Sequence, residues 1–142
     1  MLSCLVAITG WQKDYQTAKT IASEKHQLML LNFSGSDWCG PCIRMHKDIF
    51  SNSSFLQMAD TSLVMYNADF PRNKKNVLPP LLKKQNESLA DRYSPEGNFP
   101  LTLLISENGS VIKSWVGLPT GNAADFASVV KSFCNSYKKT YD

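Results

Sequence analysis

Two cysteines lie in the segment WCGPC, residues 38–42, between a predicted strand and a predicted helix. The apolar run at residues 28–33 favours a buried strand, and residues 43–50 favour a helix with an apolar stripe. Pro41 suits the first turn of that helix, where a missing N–H costs little. The chain must therefore place a cysteine pair at a strand-to-helix junction, where a small disulfide can close and reopen without unfolding.

The two cysteines are expected to differ in chemistry. Cys39 lies at the predicted helix N-terminus, where free amides and the helix dipole favour a thiolate over a thiol. We therefore predict that Cys39 is the nucleophile. Cys42 lies one turn further along and is expected to face the sheet, so it is suited to resolve a mixed disulfide from inside. The spacing alone is weak evidence for redox exchange, since zinc sites use it too.

The segment WCGPC after a strand resembles the active site of the thioredoxin superfamily. Residues 98–102, NFPLT, resemble that family's cis-proline loop, and residues 115–117, WVG, resemble its glycine turn opposite the active site. With residues 86–93 as the helix before the proline loop, the resemblance covers residues 11–137. It implies an α/β, thioredoxin-like fold with a mixed central sheet flanked by helices.

The resemblance also implies a substrate groove beside Cys39. A cis bond before Pro100 would expose the backbone of Phe99, so that an extended peptide could pair with it. Phe99 is larger than the residue usual there in the family and would make the groove narrower or more apolar. The alternative is an ordinary loop proline with an anchoring aromatic. The expected substrate-binding residues are Trp38, Gly40, Pro41, Phe99, Pro100 and Gly117.

Asn32 departs from the family pattern, which has a buried aspartate on this strand that helps to move protons at the inner cysteine. Residues 33–37 are also one residue longer than in the thioredoxin pattern. Met65 stands where a lysine is often found, and losing both charges together is consistent because a buried charge without its partner is costly. His46, four residues after Cys42, could replace the missing proton acceptor. The alternative is a half-buried histidine bonded to a carbonyl.

The length of 142 residues favours one domain. Residues 1–9, MLSCLVAIT, are interpreted as an N-terminal arm that is either a strand or a targeting remnant, and residues 10–142 as the thioredoxin-like domain. Residues 70–85 carry three prolines and five basic residues and are predicted to be a loop insertion. That loop is either a docking surface for an acidic partner or a solvated surface.

Periodicity predicts the remaining elements. Helices are expected over residues 11–25 and 53–61, the second capped by Ser53 or Ser54, and a strand over residues 63–68. Asn108-Gly109 predicts a hairpin between strands at residues 101–105 and 111–116. A C-terminal helix follows, with Cys134 on its core-facing side. Its predicted apolar stripe is Phe126, Val129, Val130, Phe133 and Tyr137.

Together these patterns predict a monomeric thiol–disulfide oxidoreductase acting through a mixed disulfide at Cys39. The expected partners are protein disulfide or dithiol substrates and a redox-recycling protein, with no organic cofactor and no metal. The net charge of +3, with both signs scattered, does not favour nucleic acid.

Gly40-Pro41 resembles thioredoxin itself and favours a reductase. The alternatives are an isomerase, an oxidant, or a non-catalytic thioredoxin-fold binding module. The apolar arm and the missing aspartate resemble exported bacterial members of the superfamily. The periplasm is therefore expected, and the cytoplasm is the alternative.

Overall fold

The structure is a computed structural model and describes residues 10–141. The possible strand or targeting remnant at residues 1–9 lies outside the described residues. The helices are α1 (Tyr15–Lys25), α2 (Gly40–Met45), α3 (Ser53–Ser62), α4 (Pro80–Tyr93) and α5 (Ala123–Lys138). The strands are β1 (Leu28–Ser34), β2 (Leu63–Asp69), β3 (Leu101–Ile105) and β4 (Val111–Val116).

The four strands form one mixed sheet in the order β2-β1-β3-β4. β1 pairs parallel to β2 and antiparallel to β3, and the predicted hairpin joins β3 to β4. All seven residues of β1 are buried, since helices cover both faces of the sheet. One core includes residues of α3 and α5, and the other includes residues of α1 and α4. The mixed sheet flanked by helices is confirmed.

The first helix begins later than predicted. Asp14 caps α1 by accepting a hydrogen bond from the Thr17 N–H at 2.7 Å, so the helix starts at Tyr15. Trp11 instead forms an isolated parallel bridge with Met65, and its ring packs edge-on against Phe50 at 5.1 Å between centroids. Trp11 packs against the core that contains α3 and α5, whereas the buried residues of α1 belong to the other core, so the apolar spacing from Trp11 does not mark one helix face.

The predicted loop over residues 70–85 is too long. Residues 70–79 are irregular apart from a 3₁₀ turn at Lys74–Asn76, and α4 begins at Pro80. Pro79 is the N-cap of α4 and Pro80 lies in its first turn, where proline is favoured. The prolines that resembled loop residues therefore start a helix, and α4 is longer than the predicted 86–93.

The helix after the cysteine pair also differs from its prediction. α2 ends at Met45 and continues as a π-helical turn, His46–Phe50. Ile43, in the helix predicted over residues 43–50, is 46% exposed, whereas Met45 is fully buried. α3 is capped by Asn52, whose side chain accepts from the Ser54 N–H, and not by Ser53 or Ser54.

The terminal helix follows the predicted stripe with one exception. Phe126 and Val130 are buried, but Val129 is 44% exposed. Cys134 is a buried free thiol, as predicted, and burial raises its pKa to about 12. Burial of this kind keeps the thiol protonated at neutral pH, as expected of a core residue. Within residues 10–141, none of the helices combines the length and apolar character needed to cross a bilayer.

Candidate active site

Cys39 and Cys42 are joined as a disulfide at the N-terminus of α2, with their Cα atoms 5.2 Å apart. Cys39 is the N-cap residue, and the Cys42 N–H points at its Sγ at 3.3 Å. Pro41 lies in the first turn, as predicted. An amide N–H directed at the sulfur and the positive end of the helix both favour negative charge there. The geometry is therefore suited to a thiolate on Cys39 when the pair is reduced.

Trp38 is held between the segment that follows β1 and the segment that follows β2. Its indole Nε1 donates to the Phe70 carbonyl at 2.7 Å. A Cβ at position 35 would collide with the indole ring, so Gly35 is required where the backbone approaches Trp38. The longer segment between β1 and the cysteines, noted in the sequence, provides this close approach.

Asp37 fastens the loop after β2 to the active-site segment. Its carboxylate accepts from the backbone N–H groups of Arg72 and Asn73, each at 2.9 Å, and from Asn76 Nδ2 at 3.0 Å. These hydrogen bonds hold the pKa of Asp37 below its usual range. Ser36 makes a second contact between the active-site segment and the end of β2, because its backbone N–H donates to Asp69 at 3.0 Å.

The predicted proline loop lies beside Trp38. The Phe99–Pro100 peptide bond is cis, and the Gly117 N–H donates to the Pro100 carbonyl at 2.8 Å. Gly117 has a φ of 76°, a conformation that favours glycine. The Phe99 ring packs edge-on against Trp38 at 5.4 Å between centroids. The structure thus brings Trp38, Phe99, Pro100 and Gly117 to the same end of the sheet as the cysteines.

Phe70, which sequence reasoning missed, extends this surface, and the buried Phe33 supports it from the core. Phe70 lies edge-on to Phe99 at 5.5 Å, and Phe33 stacks on Phe70 at 6.4 Å between centroids. Arg72 lies over the Trp38 ring, with its Cζ 3.6 Å from the centroid. No local pattern marks these contacts, because Phe33, Phe70 and Phe99 belong to three separate segments.

A cavity of about 340 Å³ opens beside Cys42. Its lining residues are Ser34, Ser36, Cys42, Ile43, His46, Lys47 and Asn67. Cys42 is only 3% exposed, so this cavity is its contact with the polar exterior. No carboxylate lines the cavity among the described residues.

Asn32 belongs to a neutral hydrogen-bonded chain behind this cavity. It is 5% exposed, donates from Nδ2 to Asn67 Oδ1 at 3.0 Å, and accepts from Thr102 Oγ1 at 3.0 Å. Met65, at the position of the family's lysine, is buried and apolar. Position 32 is therefore occupied by a neutral amide whose nitrogen and oxygen each have a hydrogen-bond partner.

His46 is exposed. The alternative interpretation of the sequence, a half-buried histidine bonded to a carbonyl, required less exposure. The His46 ring lies 6.1 Å from Trp11 and 6.4 Å from Phe50 between centroids, and it lines the same cavity as Cys42. Among residues 10–141, no group of three or more His, Cys, Asp or Glu side chains is arranged to hold a metal ion.

The chain belongs to the thioredoxin-like family, whose model matches residues 10–103. Its fold and its Cys39–Cys42 disulfide in a CxxC arrangement define it as a thiol–disulfide oxidoreductase.

Particular relatives are similar over most of the chain. It is 34% identical over 122 residues to the disulfide bond reductase DsbH of Chlamydia pneumoniae, covering 86% of this chain and 70% of that protein. A solved DsbH oxidoreductase structure superposes with a TM-score of 0.80 at 29% identity, covering 95% of this chain and 92% of that one. The thioredoxin-related protein DsbJ of the same organism is 27% identical over 96 residues, covering 68% of this chain and 27% of DsbJ.

Restoring an acid at the Asn32 position should make stability depend on pH. In Asn32→Asp, burial would raise the pKa of the new carboxyl above its ordinary value. The protonated acid can still donate to Asn67, but the ionised form turns an acceptor toward Asn67 Oδ1. Because the folded-state pKa is raised, stability is retained at low pH and lost as pH rises through that pKa. We expect a loss of about 1–3 kcal/mol in the free energy of unfolding at neutral pH, measured by urea denaturation.

Asn108→Asp is the matched control, since Asn108 is exposed in the hairpin turn and the charge change is the same. Its unfolding free energy should follow that of the unsubstituted protein between pH 4 and 8. A flat pH profile for Asn32→Asp would show that a carboxylate at position 32 is accommodated without cost.

Proposed function

We propose that this protein reduces disulfides in other proteins, with Cys39 as the nucleophile and Cys42 as the resolving thiol. The observation that carries the proposal is the position of Cys39 as N-cap of α2, with an amide N–H directed at its sulfur. Both features stabilise a thiolate, which is the attacking species in thiol–disulfide exchange. The name of its relative DsbH, a disulfide bond reductase, supports the same direction.

The reaction needs two exchange steps. The Cys39 thiolate attacks one sulfur of the substrate disulfide, forms a mixed disulfide and displaces the first substrate thiolate. Cys42 then loses its proton and attacks the Cys39 sulfur, which releases the second substrate thiolate. The substrate gains two electrons, and the protein is left with the Cys39–Cys42 disulfide that the structure contains.

The substrate is proposed to bind along the surface formed by Trp38, Phe99 and Pro100, with Gly117 opposite and Gly40 and Pro41 at the rim. Gly40 and Pro41 are exposed, whereas Trp38 and Phe99 are partly exposed. An extended peptide passing over this surface would meet aromatic rings and the backbone before Pro100. This arrangement favours polypeptides over small disulfides.

His46 is proposed to accept the proton from Cys42. Both residues line the cavity beside α2, and the buried position behind it holds the neutral Asn32. An imidazole nitrogen can accept a proton, and the exposed His46 lines the same cavity as Cys42, so it can take up a proton that leaves Cys42 there.

We also propose that the protein is a monomer in the bacterial periplasm, where it is reduced again by a redox-recycling protein. The support for this compartment is its similarity to Dsb proteins and the departure from cytosolic thioredoxins at Asn32. Recovery of the chain in a cytosolic fraction, and not in a periplasmic one, would contradict this proposal.

Substitution of each cysteine should separate the two steps. Cys39→Ser should abolish reduction of a protein disulfide because the nucleophile is lost. Cys42→Ser should still attack but accumulate a mixed disulfide, since the resolving thiol is absent; mass spectrometry of the quenched reaction detects that adduct. Cys134→Ser is the matched control and should react like the unsubstituted protein, because Cys134 is a buried thiol distant in sequence from the pair.

Alkylation rates can contradict the assignment of Cys39 as the nucleophile. If Cys39 in Cys42→Ser reacted with iodoacetamide as slowly as an ordinary exposed thiol, its assignment as an activated nucleophile would be wrong.

Equilibration with glutathione should give a reduction potential near that of thioredoxin, about −270 mV, and far from the strong oxidant DsbA, about −120 mV. The physical reason is that Gly40-Pro41 and one helix N-terminus stabilise the thiolate only moderately, so the dithiol gives up electrons readily. A potential near that of DsbA would overturn the reductase assignment and leave the oxidoreductase class intact.

A further inference from the structure

We infer that Arg72 recognises an acidic side chain next to the reactive cysteine of the protein substrate. This inference rests on the proposed reductase function and names the class of substrate that it favours. The structure places the guanidinium of Arg72 over the Trp38 ring, 3.6 Å from the centroid, and Trp38 immediately precedes Cys39.

The Arg72 side chain is held in place but not neutralised. Its backbone N–H is bound by Asp37, and its guanidinium is stacked on the indole. No carboxylate lies within salt-bridge distance of Arg72 among residues 10–141, and the residue is exposed. The guanidinium of Arg72 is therefore positioned at the edge of the proposed substrate surface before a substrate binds.

Stacking also determines which part of the guanidinium is left to bind. The central carbon of the planar group lies 3.6 Å from the ring centroid and the residue is exposed, so N–H donors at the edge of the group remain available to a partner. That edge matches the two oxygens of a carboxylate, which can accept two parallel hydrogen bonds. An aspartate or glutamate side chain fits this edge, and a lysine or arginine at the same place would be repelled.

The charge around Arg72 favours the same partner. Lys74 and Lys75 are exposed on the next turn, and residues 70–85 contain no acidic side chain. The two nearby carboxylates already accept protein hydrogen bonds, Asp37 from the loop backbone and Asp69 from Ser36 and Phe70. The exposed charged side chains of this loop are thus cationic, whereas the carboxylates of Asp37 and Asp69 accept hydrogen bonds from the protein's own N–H groups.

The experiment uses two disulfide-linked peptides that differ in one residue beside the reactive cysteine, glutamate in one and glutamine in the other. The rate constant for their reduction by the fully reduced protein is measured in a single turnover, so no recycling partner is needed. We expect the glutamate peptide to react roughly three- to tenfold faster at low salt, through faster association. Added salt should reduce that ratio.

Three variants test the assignment. Arg72→Gln should bring the ratio to about one, and a far-UV circular dichroism spectrum like that of the unsubstituted protein shows that the variant is folded. Arg72→Lys should retain part of the ratio, since the charge remains but the planar pair of donors is lost. Lys131→Gln is the matched control, because it also removes one exposed positive charge. Lys131 lies on α5, which belongs to the core with α3 and not to the core against which Phe70 and Phe99 pack. The ratio for Lys131→Gln should equal that of the unsubstituted protein.

Each other outcome overturns the inference. Equal rates for the two peptides, or a ratio that survives Arg72→Gln, would exclude Arg72 as the recognition residue while leaving the reductase function in place. Loss of the ratio only in a Lys74→Gln, Lys75→Gln double variant would move recognition to those lysines. Failure of the unsubstituted protein to reduce either peptide would count against the proposed function itself.

Discussion

The complete burial of β1 is the constraint on which the rest of this structure depends. Its seven residues lie between two cores, paired with β2 on one side and β3 on the other. Because both faces and both edges of the strand are covered, the chain leaves the sheet only beyond the C-terminal end of β1. The residues that follow must turn there into α2, so the cysteine pair is carried to the end of the sheet where the proline loop also lies.

In the longer connection between β1 and the cysteines, three consecutive residues each make a specific contact. Gly35 allows the indole of Trp38 to approach the backbone, Ser36 donates to Asp69, and Asp37 accepts from the loop after β2. These contacts join the redox segment to residues 70–76, which carry Arg72 over Trp38. The active-site surface is thus built from segments on both sides of β2, not from the cysteine segment alone.

The interior behind Cys42 is polar without being charged. Asn32, Asn67 and Thr102 satisfy one another across three neighbouring strands, so the sheet accepts polar groups at low cost. A buried carboxylate would need a partner or a raised pKa, and Met65 could not compensate it. In the proposed mechanism, the proton that leaves Cys42 therefore goes toward the cavity that His46 and Lys47 line.

The sequence by itself determined the parts of this protein that depend on local patterns. A continuous apolar run predicted β1, Asn108-Gly109 predicted the β3–β4 hairpin, and the cysteine spacing with Pro41 predicted the start of α2. These features depend on backbone preferences and periodicity within a few residues, so one sequence carries enough information. The core position of Cys134 was predicted for the same reason.

Only the tertiary structure decided the features that depend on contacts distant in the chain. Pro79 and Pro80 are typical of both a loop and a helix start, and the placement of α4 resolved that ambiguity. Residues 32 and 67 meet because β1 pairs with β2, and Arg72 meets Trp38 because Asp37 binds the loop backbone. His46 is exposed at the point where the chain changes from α to π geometry, a change that a regular helical period does not predict. Such contacts arise from packing the finished sheet, so no local pattern encodes them.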